Sequence, residues 1–311
     1  TGTTTNLGGD GNLNSGSLSF SQNNNETYLD GNLTGSAPIF IGGGRTVTFA
    51  GADNSGYSGD ITINGQTRAS TATNAMGTGD LILQAGLLNG TGGVVLENDY
   101  AVAPSATFSF SGLTLNGLGT FGANSLTAIT GVTLSGNISG AGTLETRNGT
   151  LTISGADNSG FSGTVHVGST SFHVGNVIIG SATNALGTGS LAFYRGTLSS
   201  SLAAVLNNDF ATAGTGGSIT INGSNDLALN GTGNLSSNTV SVVVSNTGTT
   251  TLGGNLSGAD SLSKTGAGTL VLLGADNSSY SGTVNLTGGI LQVGNGGTTG
   301  TLGTGTLTNN A

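Results

Sequence analysis

The chain has 311 residues, with 60 Gly, 2 Pro, 1 Met, no Cys and no Trp, and only 6% of it is charged, against about a quarter in ordinary soluble domains. Five basic residues, Arg45, Arg68, Arg147, Arg195 and Lys264, stand singly against 14 acidic ones, for a net charge of −9, so nucleic acid and anionic membranes, which need clustered Lys/Arg, are poor candidates for partners. Without cysteine there is neither a disulfide framework nor a thiolate metal or redox site. No apolar run approaches the roughly 18 residues of a membrane-spanning helix, and no direct membrane insertion of this segment is expected.

The chain opens at Thr1 with no basic, apolar leader, which reads as a processed product or an excised segment. The first stretch, Thr1-Gly2-Thr3-Thr4-Thr5, is rich in threonine, and Asn32-Leu33-Thr34-Gly35 follows. Short period-two alternations then run along the chain: Val47 and Phe49, Ile61 and Ile63, Leu81 and Leu83, Leu113 and Leu115, Leu151 and Ile153, Val165 and Val167, Val284 and Leu286. Each ends within a few residues in Gly, Asn, Asp or Ser, the pattern of short strands with one buried and one wet face. Helical spacing is confined to single turns at Ser70 to Met76 and Ser181 to Leu186, where Ser, Thr or Asn can act as caps.

Internal repetition decides the fold class. The signature Gly51-Ala52-Asp53-Asn54-Ser55-Gly56-Tyr57-Ser58-Gly59 returns at 155–163 with Asp157, Asn158 and Phe161, and at 274–282 with Asp276, Asn277 and Tyr280. Asn32 to Gly35 returns as Asn137 to Gly140 and Asn255 to Gly258. Ala72-Thr73-Asn74-Ala75-Met76-Gly77-Thr78-Gly79 returns at 182–189 and, shortened, as Leu302-Gly303-Thr304-Gly305, while Asn98-Asp99-Tyr100 returns as Asn208-Asp209-Phe210. Residues 1–311 are therefore expected to form one continuous solenoid of about three tandem units, each of about 110 residues. Long-period repetition of many short strands predicts an all-β fold, a single parallel β-helix. At roughly 20 to 25 residues per coil it makes roughly 13–14 coils. Glycine serves the tight corners, and Asn and Thr stack in ladders.

The run Lys264-Thr265-Gly266-Ala267-Gly268-Thr269-Leu270, then Gly274 to Gly282, then Thr283 to Gly294, resembles the autotransporter-associated β-strand repeat, also called the passenger-associated transport repeat. The strict resemblance covers about a third of the chain, and the Asp-Asn-Ser-Gly/Ser segment before Tyr57, Phe161 and Tyr280 lengthens the family's turn. The resemblance implies a right-handed β-helix on the outside of a Gram-negative-type bacterium, exported through an outer-membrane barrel, with the repeat in a structural role. No barrel-type strand series follows within the chain, and no Gly-Asp-Ser-Gly protease signature occurs.

Candidate chemistry is sparse. Asp53, Asp157 and Asp276 with Asn54, Asn158 and Asn277 suggest a calcium loop, but each loop offers one carboxylate where calcium takes six to eight oxygens. Turn formation, the Asp or Asn side chain bonding the backbone two residues on, is the expected role, with Tyr57, Phe161 and Tyr280 packed beside the turn. His166 and His173 lie between apolar neighbours and are expected to face outward without a third metal ligand. The acid groupings Glu97 with Asp99 and Asp53 with Asp60 have no close basic residue, which disfavours a polysaccharide-cleaving site. No catalytic, metal or cofactor-binding residue is expected, and no cofactor. The function expected is a non-enzymatic extracellular rod, a passenger or stalk segment of a bacterial surface adhesin or fibre. The alternatives are a filament subunit that stacks head-to-tail on itself, a polysaccharide-binding or -cleaving β-helix, and an ice- or glycan-binding face. The partners expected are further copies of the chain, head-to-tail or lateral, or cell-surface glycans and receptors.

Overall fold

The structure, a computed structural model, describes residues 4–21, 26–44, 46–51, 53–70, 74–103, 107–123, 125–169, 173–214, 217–236 and 240–311. Arg45, Ala52, Phe172, the first three residues of the Thr-rich start and Thr71, Ala72 and Thr73 of the first expected helical turn lie outside them. Among the described residues there is no helix, and parallel sheets stack as a β-solenoid of about 13 turns. The chain forms two compact units, Thr1–Thr143 and Leu144–Ala311.

In the first unit, inward side chains pile up coil on coil. Phe20, Ile41, Ile63, Leu83, Val102 and Phe121 are register partners in succession along one column of strands. Leu29, Phe49 and Ala69 form a second row, which begins at the exposed Leu7, and Gly11–Leu13 on Leu33–Gly35 form part of a third. Parallel in-register pairing puts like positions above one another at about 4.8 Å. The alternation read from sequence thus becomes a continuous dry column, with Val47, Phe49, Ile61, Ile63, Leu81, Leu83 and Leu115 fully buried. Tyr100, Phe110 and Phe121 meet edge to face at centroid distances of 5.9 and 5.8 Å, an arrangement worth more than the buried area alone.

The second unit repeats the scheme. One row runs Val177, Leu198, Ile221, Val244 and Lys264, another Leu206, Leu229, Leu252 and Leu272, ending at the exposed Val293. The third column stacks Thr164–Val167, Leu191–Phe193, Phe210–Thr212, Gly233–Leu235 and Leu256–Gly258. Leu286 of the expected pair with Val284 is only half-buried.

The expected helical turns do not form among the described residues. Asn74 (φ 61°) and Asn184 (φ 51°) enter the left-handed region and give tight corners instead, because Asn tolerates that backbone through local side-chain hydrogen bonds.

Within the single strand Gly119–Phe121, Phe121 faces the core and Thr120 faces out. Phe121→Ala is expected to cost about 3–5 kcal/mol and Thr120→Ala less than about 0.5 kcal/mol, measured by urea unfolding of the two variants.

Candidate functional site

The repeated loops are corners of the coils, and their side chains divide the work between outside and inside. On the outside, Asp53 accepts the Ser55 N–H at 2.8 Å, and Asp157 and Asp276 accept those of Ser159 and Ser278 at 2.9 Å each. These are the local turns expected from the sequence. Bonds from the backbone and hydroxyl of Ser55 and of Ser159 hold Asp53 and Asp157 below the ordinary 3.8, and bonds from the hydroxyl and backbone of Ser278 do the same for Asp276.

The neighbouring asparagines point inward and are almost wholly buried. Asn54 Oδ1 accepts the Leu33 N–H of the coil before at 2.7 Å, while its Nδ2 donates to the Ala75 carbonyl of the coil after at 2.6 Å. Asn277 repeats this with the Leu256 N–H at 2.7 Å and the Thr301 carbonyl at 2.5 Å, and Asn158 donates to the Ala185 carbonyl at 2.8 Å. A primary amide carries both donor and acceptor, so one side chain can close the polar gaps of two neighbouring coils.

The aromatic ring sits beside this amide in every copy, and Tyr57, Phe161 and Tyr280 are fully buried. Tyr57 donates its hydroxyl to the Ala37 carbonyl at 2.8 Å and Tyr280 to that of Asp260 at 2.9 Å. Burial pushes both phenols far above their usual range. On the following coil, Thr78, Thr188 and Thr304 donate their N–H to the backbone carbonyls of Tyr57, Phe161 and Tyr280 at 2.8, 2.7 and 2.8 Å. Glycine precedes each threonine, with φ of 77°, 66° and 92° at Gly77, Gly187 and Gly303, and a Cβ there would run into the carbonyl of the aromatic residue below. One coil further on, Asn98 donates to the Gly77 and Gly79 carbonyls at 3.1 and 2.7 Å, and Asn208 to those of Gly187 and Gly189 at 3.2 and 2.7 Å. Landmarks that look independent along the sequence are therefore successive floors of one corner.

The remaining candidates take separate places. Glu97 accepts from Asn116 Nδ2 at 2.8 Å, Asp99 from the Leu118 N–H at 2.7 Å and Asp60 from the Asp80 N–H at 3.1 Å. These acids hold backbone and amide groups of the next coil. His173 Nδ1 lies 3.2 Å from the Ser169 hydroxyl. Among the described residues no group of three or more His, Cys, Asp and Glu is arranged to hold a metal ion.

Two features escaped the sequence reading. His166 does face away from the core, yet it is enclosed. Its ring meets that of Tyr194 at 4.9 Å, and its Nδ1 is 3.6 Å from Glu145 Oε2, whose other oxygen accepts from Arg147 Nε at 2.6 Å. Burial pushes the Glu145 carboxyl up, but His166 and Arg147 outweigh it and hold the group below its ordinary value. Reading residues one coil apart, 145 against 166, would have found the pair. Lys264 stands in the inward row between Val244 and Leu286 and is fully buried. Its ammonium donates to the carbonyls of Gly266 and Gly288, and burial lowers its pKa.

Stacked corners clasped by buried amides, with aromatic residues between floors, define a repeat β-solenoid. The family model described as the passenger-associated-transport-repeat matches residues 262–293, the stretch that holds Lys264, Asn277 and Tyr280. The repeat and the β-solenoid together fit an autotransporter passenger β-helix. No curated protein and no solved structure matches the chain.

Asn54→Ala leaves the Leu33 N–H and the Ala75 carbonyl without this partner, and is expected to cost about 2–4 kcal/mol in urea unfolding. The tyrosines should differ in sign. Tyr57→Phe and Tyr280→Phe each lose a hydrogen bond and about 1 kcal/mol, whereas Tyr100, whose buried hydroxyl has no hydrogen-bond partner among the described residues, becomes Phe with a gain of up to about 1 kcal/mol. The corner acids, with folded pKa values below 3.8, stabilise the fold fully above the unfolded value and lose that contribution as pH falls through the folded one. The triple variant Asp53→Asn, Asp157→Asn, Asp276→Asn is therefore expected to show a shallower fall of Tm below pH 3.8 than the parent.

Proposed function

We propose that the chain is a non-enzymatic, extracellular structural rod, a passenger or stalk segment of a bacterial surface adhesin or fibre. The observation that carries this reading is the use made of the repeated polar side chains. Asn54, Asn98, Asn158, Asn208 and Asn277 are buried and bonded from coil to coil, so the most regular chemistry in the chain is spent on stacking. The match of residues 262–293 to a passenger repeat supports a place on the surface of a Gram-negative-type bacterium, reached by export. Coil-by-coil assembly suits export, because each coil that emerges offers a template to the next. The low charge gives the lateral wall few Lys or Arg sites for proteolysis.

Electron microscopy of the purified chain is expected to show isolated short rods of uniform width. Long uniform filaments would replace the stalk reading with head-to-tail self-assembly, and globular particles would overturn both.

A further inference from the structure

Asparagine is followed directly by glycine at seven places in the chain. In such a pair the side-chain carbonyl carbon and the next backbone nitrogen can close a succinimide ring, because glycine has no Cβ to hinder the approach. Closure requires the two atoms to reach contact distance in the right orientation. It therefore depends on how freely the backbone turns, and the fold treats the seven pairs differently.

Six of them are tied to neighbouring coils. Asn64-Gly65 and Asn89-Gly90 lie inside the strands Ile61–Ala69 and Leu81–Leu96, where Gly65 pairs with Gly86 and Gly90 with Ala69. Asn116 and Asn230 donate their N–H to the Leu96 and Leu206 carbonyls at 2.8 and 2.7 Å, and Gly117 and Gly231 pack so closely on Asn98 and Asn208 that a Cβ would run into their carbonyls. Asn148 donates its N–H to the Val174 carbonyl at 2.7 Å, while the Gly149 carbonyl accepts the Asn176 N–H at 2.8 Å. Asn222 donates to the Leu198 carbonyl at 3.1 Å, while the Gly223 carbonyl accepts the Thr247 N–H at 2.8 Å.

The seventh pair, Asn295-Gly296, is held differently. The coil-to-coil bonds stop at Gly294, whose N–H donates to the Leu272 carbonyl at 2.8 Å, and resume at Gly300, whose N–H donates to the Gly274 carbonyl at 3.2 Å. Residues 295–299 between these anchors are all exposed, and among the described residues no hydrogen bond ties them down. Gly296 has φ of 88°, and a Cβ placed on it would meet nothing within 4 Å, so the peptide groups on either side have room to rotate. The Asn295 side chain folds forward along the loop, with Oδ1 3.4 Å from the place a Cβ of Gly297 would take. That keeps its carbonyl beside the Gly296 peptide.

We propose that Asn295 is a site of spontaneous modification, which the folded chain converts to aspartate and isoaspartate while sparing its other Asn-Gly pairs. Hydroxide takes the Gly296 amide proton, and the nitrogen attacks the side-chain carbonyl carbon of Asn295. The ring C–N bond forms, the bond from that carbon to Nδ2 breaks, and Nδ2 leaves as ammonia with a proton from water. A second water opens the succinimide at either carbonyl. The net change is gain of water, loss of ammonia and one further negative charge on the wall of the second unit. The bonds between Asn277 and Thr301 lie beyond the Gly300 anchor, outside the reacting loop. This reaction of the folded chain does not depend on the stalk reading.

The test is incubation of the purified whole chain at mildly alkaline pH, folded or in concentrated urea, followed by peptic mapping in a mass spectrometer. Each conversion reads as a gain of about 1 Da. In the folded chain Asn295 is expected to convert at least about tenfold faster than any other Asn-Gly pair. Each of those must first break a coil-to-coil bond, which is worth about that factor. In urea the seven should convert at similar rates, since the ties that distinguish them are gone. Asn295→Gln should remove the gain from its own peptide and leave the other six unchanged. An Asn295 that does not convert in the folded chain, or another pair that converts there as fast, would overturn the proposal. A gain in the Asn295→Gln peptide equal to that of the parent would also overturn it, by placing the reaction at another residue.

Discussion

A coil that turns a corner must interrupt its strand, and at that point backbone N–H and C=O groups face the floors above and below without a regular ladder. Left unpaired inside a dry stack, each would cost on the order of 1–3 kcal/mol. The buried amide at Asn54 and Asn277 meets this constraint by accepting from one floor and donating to the other. The features around it are consistent with that single bond pattern. The aspartate beside it tightens the turn outside, the aromatic ring fills the space inside, and glycine on the next floor lets the backbone close over the ring.

The same arrangement explains why the chain repeats on two scales. One coil takes 21 residues from Asn54 to Ala75 but 27 from Asn158 to Ala185. Insertions are accommodated where they fall outside the corner, because only the corner and the inward rows must stay in register. The repeat that is visible in the sequence is the return of a whole set of floors, with asparagine-leucine-threonine-glycine beneath the signature loop and asparagine-alanine-methionine-glycine above it.

Much of the fold was legible because alternation is a local signal. Val47 with Phe49, or Val165 with Val167, declares its buried face within four residues, and the recurrence of 51–59 at 155–163 and 274–282 turns short strands into a solenoid. What lay hidden was contact between floors. Glu145 and His166 lie one coil apart, but Tyr194 comes after a longer coil, so one fixed spacing finds the first pair and misses the third member. Lys264 was legible in principle, since it alternates with the buried Leu262, yet an inward ammonium becomes credible only once the carbonyls of Gly266 and Gly288 are seen to surround it. Asn74 and Asn184 were open to helix by local propensity, and the stacked corner overrode it. The turn role of Asp53, Asp157 and Asp276 followed from their chemistry, whereas the larger task of the asparagine beside each depends on neighbours about one coil away.

Native-state hydrogen exchange tests the amide clasp most directly. The Leu33 and Leu256 N–H groups sit at corners and donate to a side chain, Asn54 or Asn277. The account predicts that both exchange as slowly as the strand amide of Leu81, which donates to the Asp99 carbonyl. Exchange as fast as that of the exposed turn amides of Ser55 and Ser278 would contradict it.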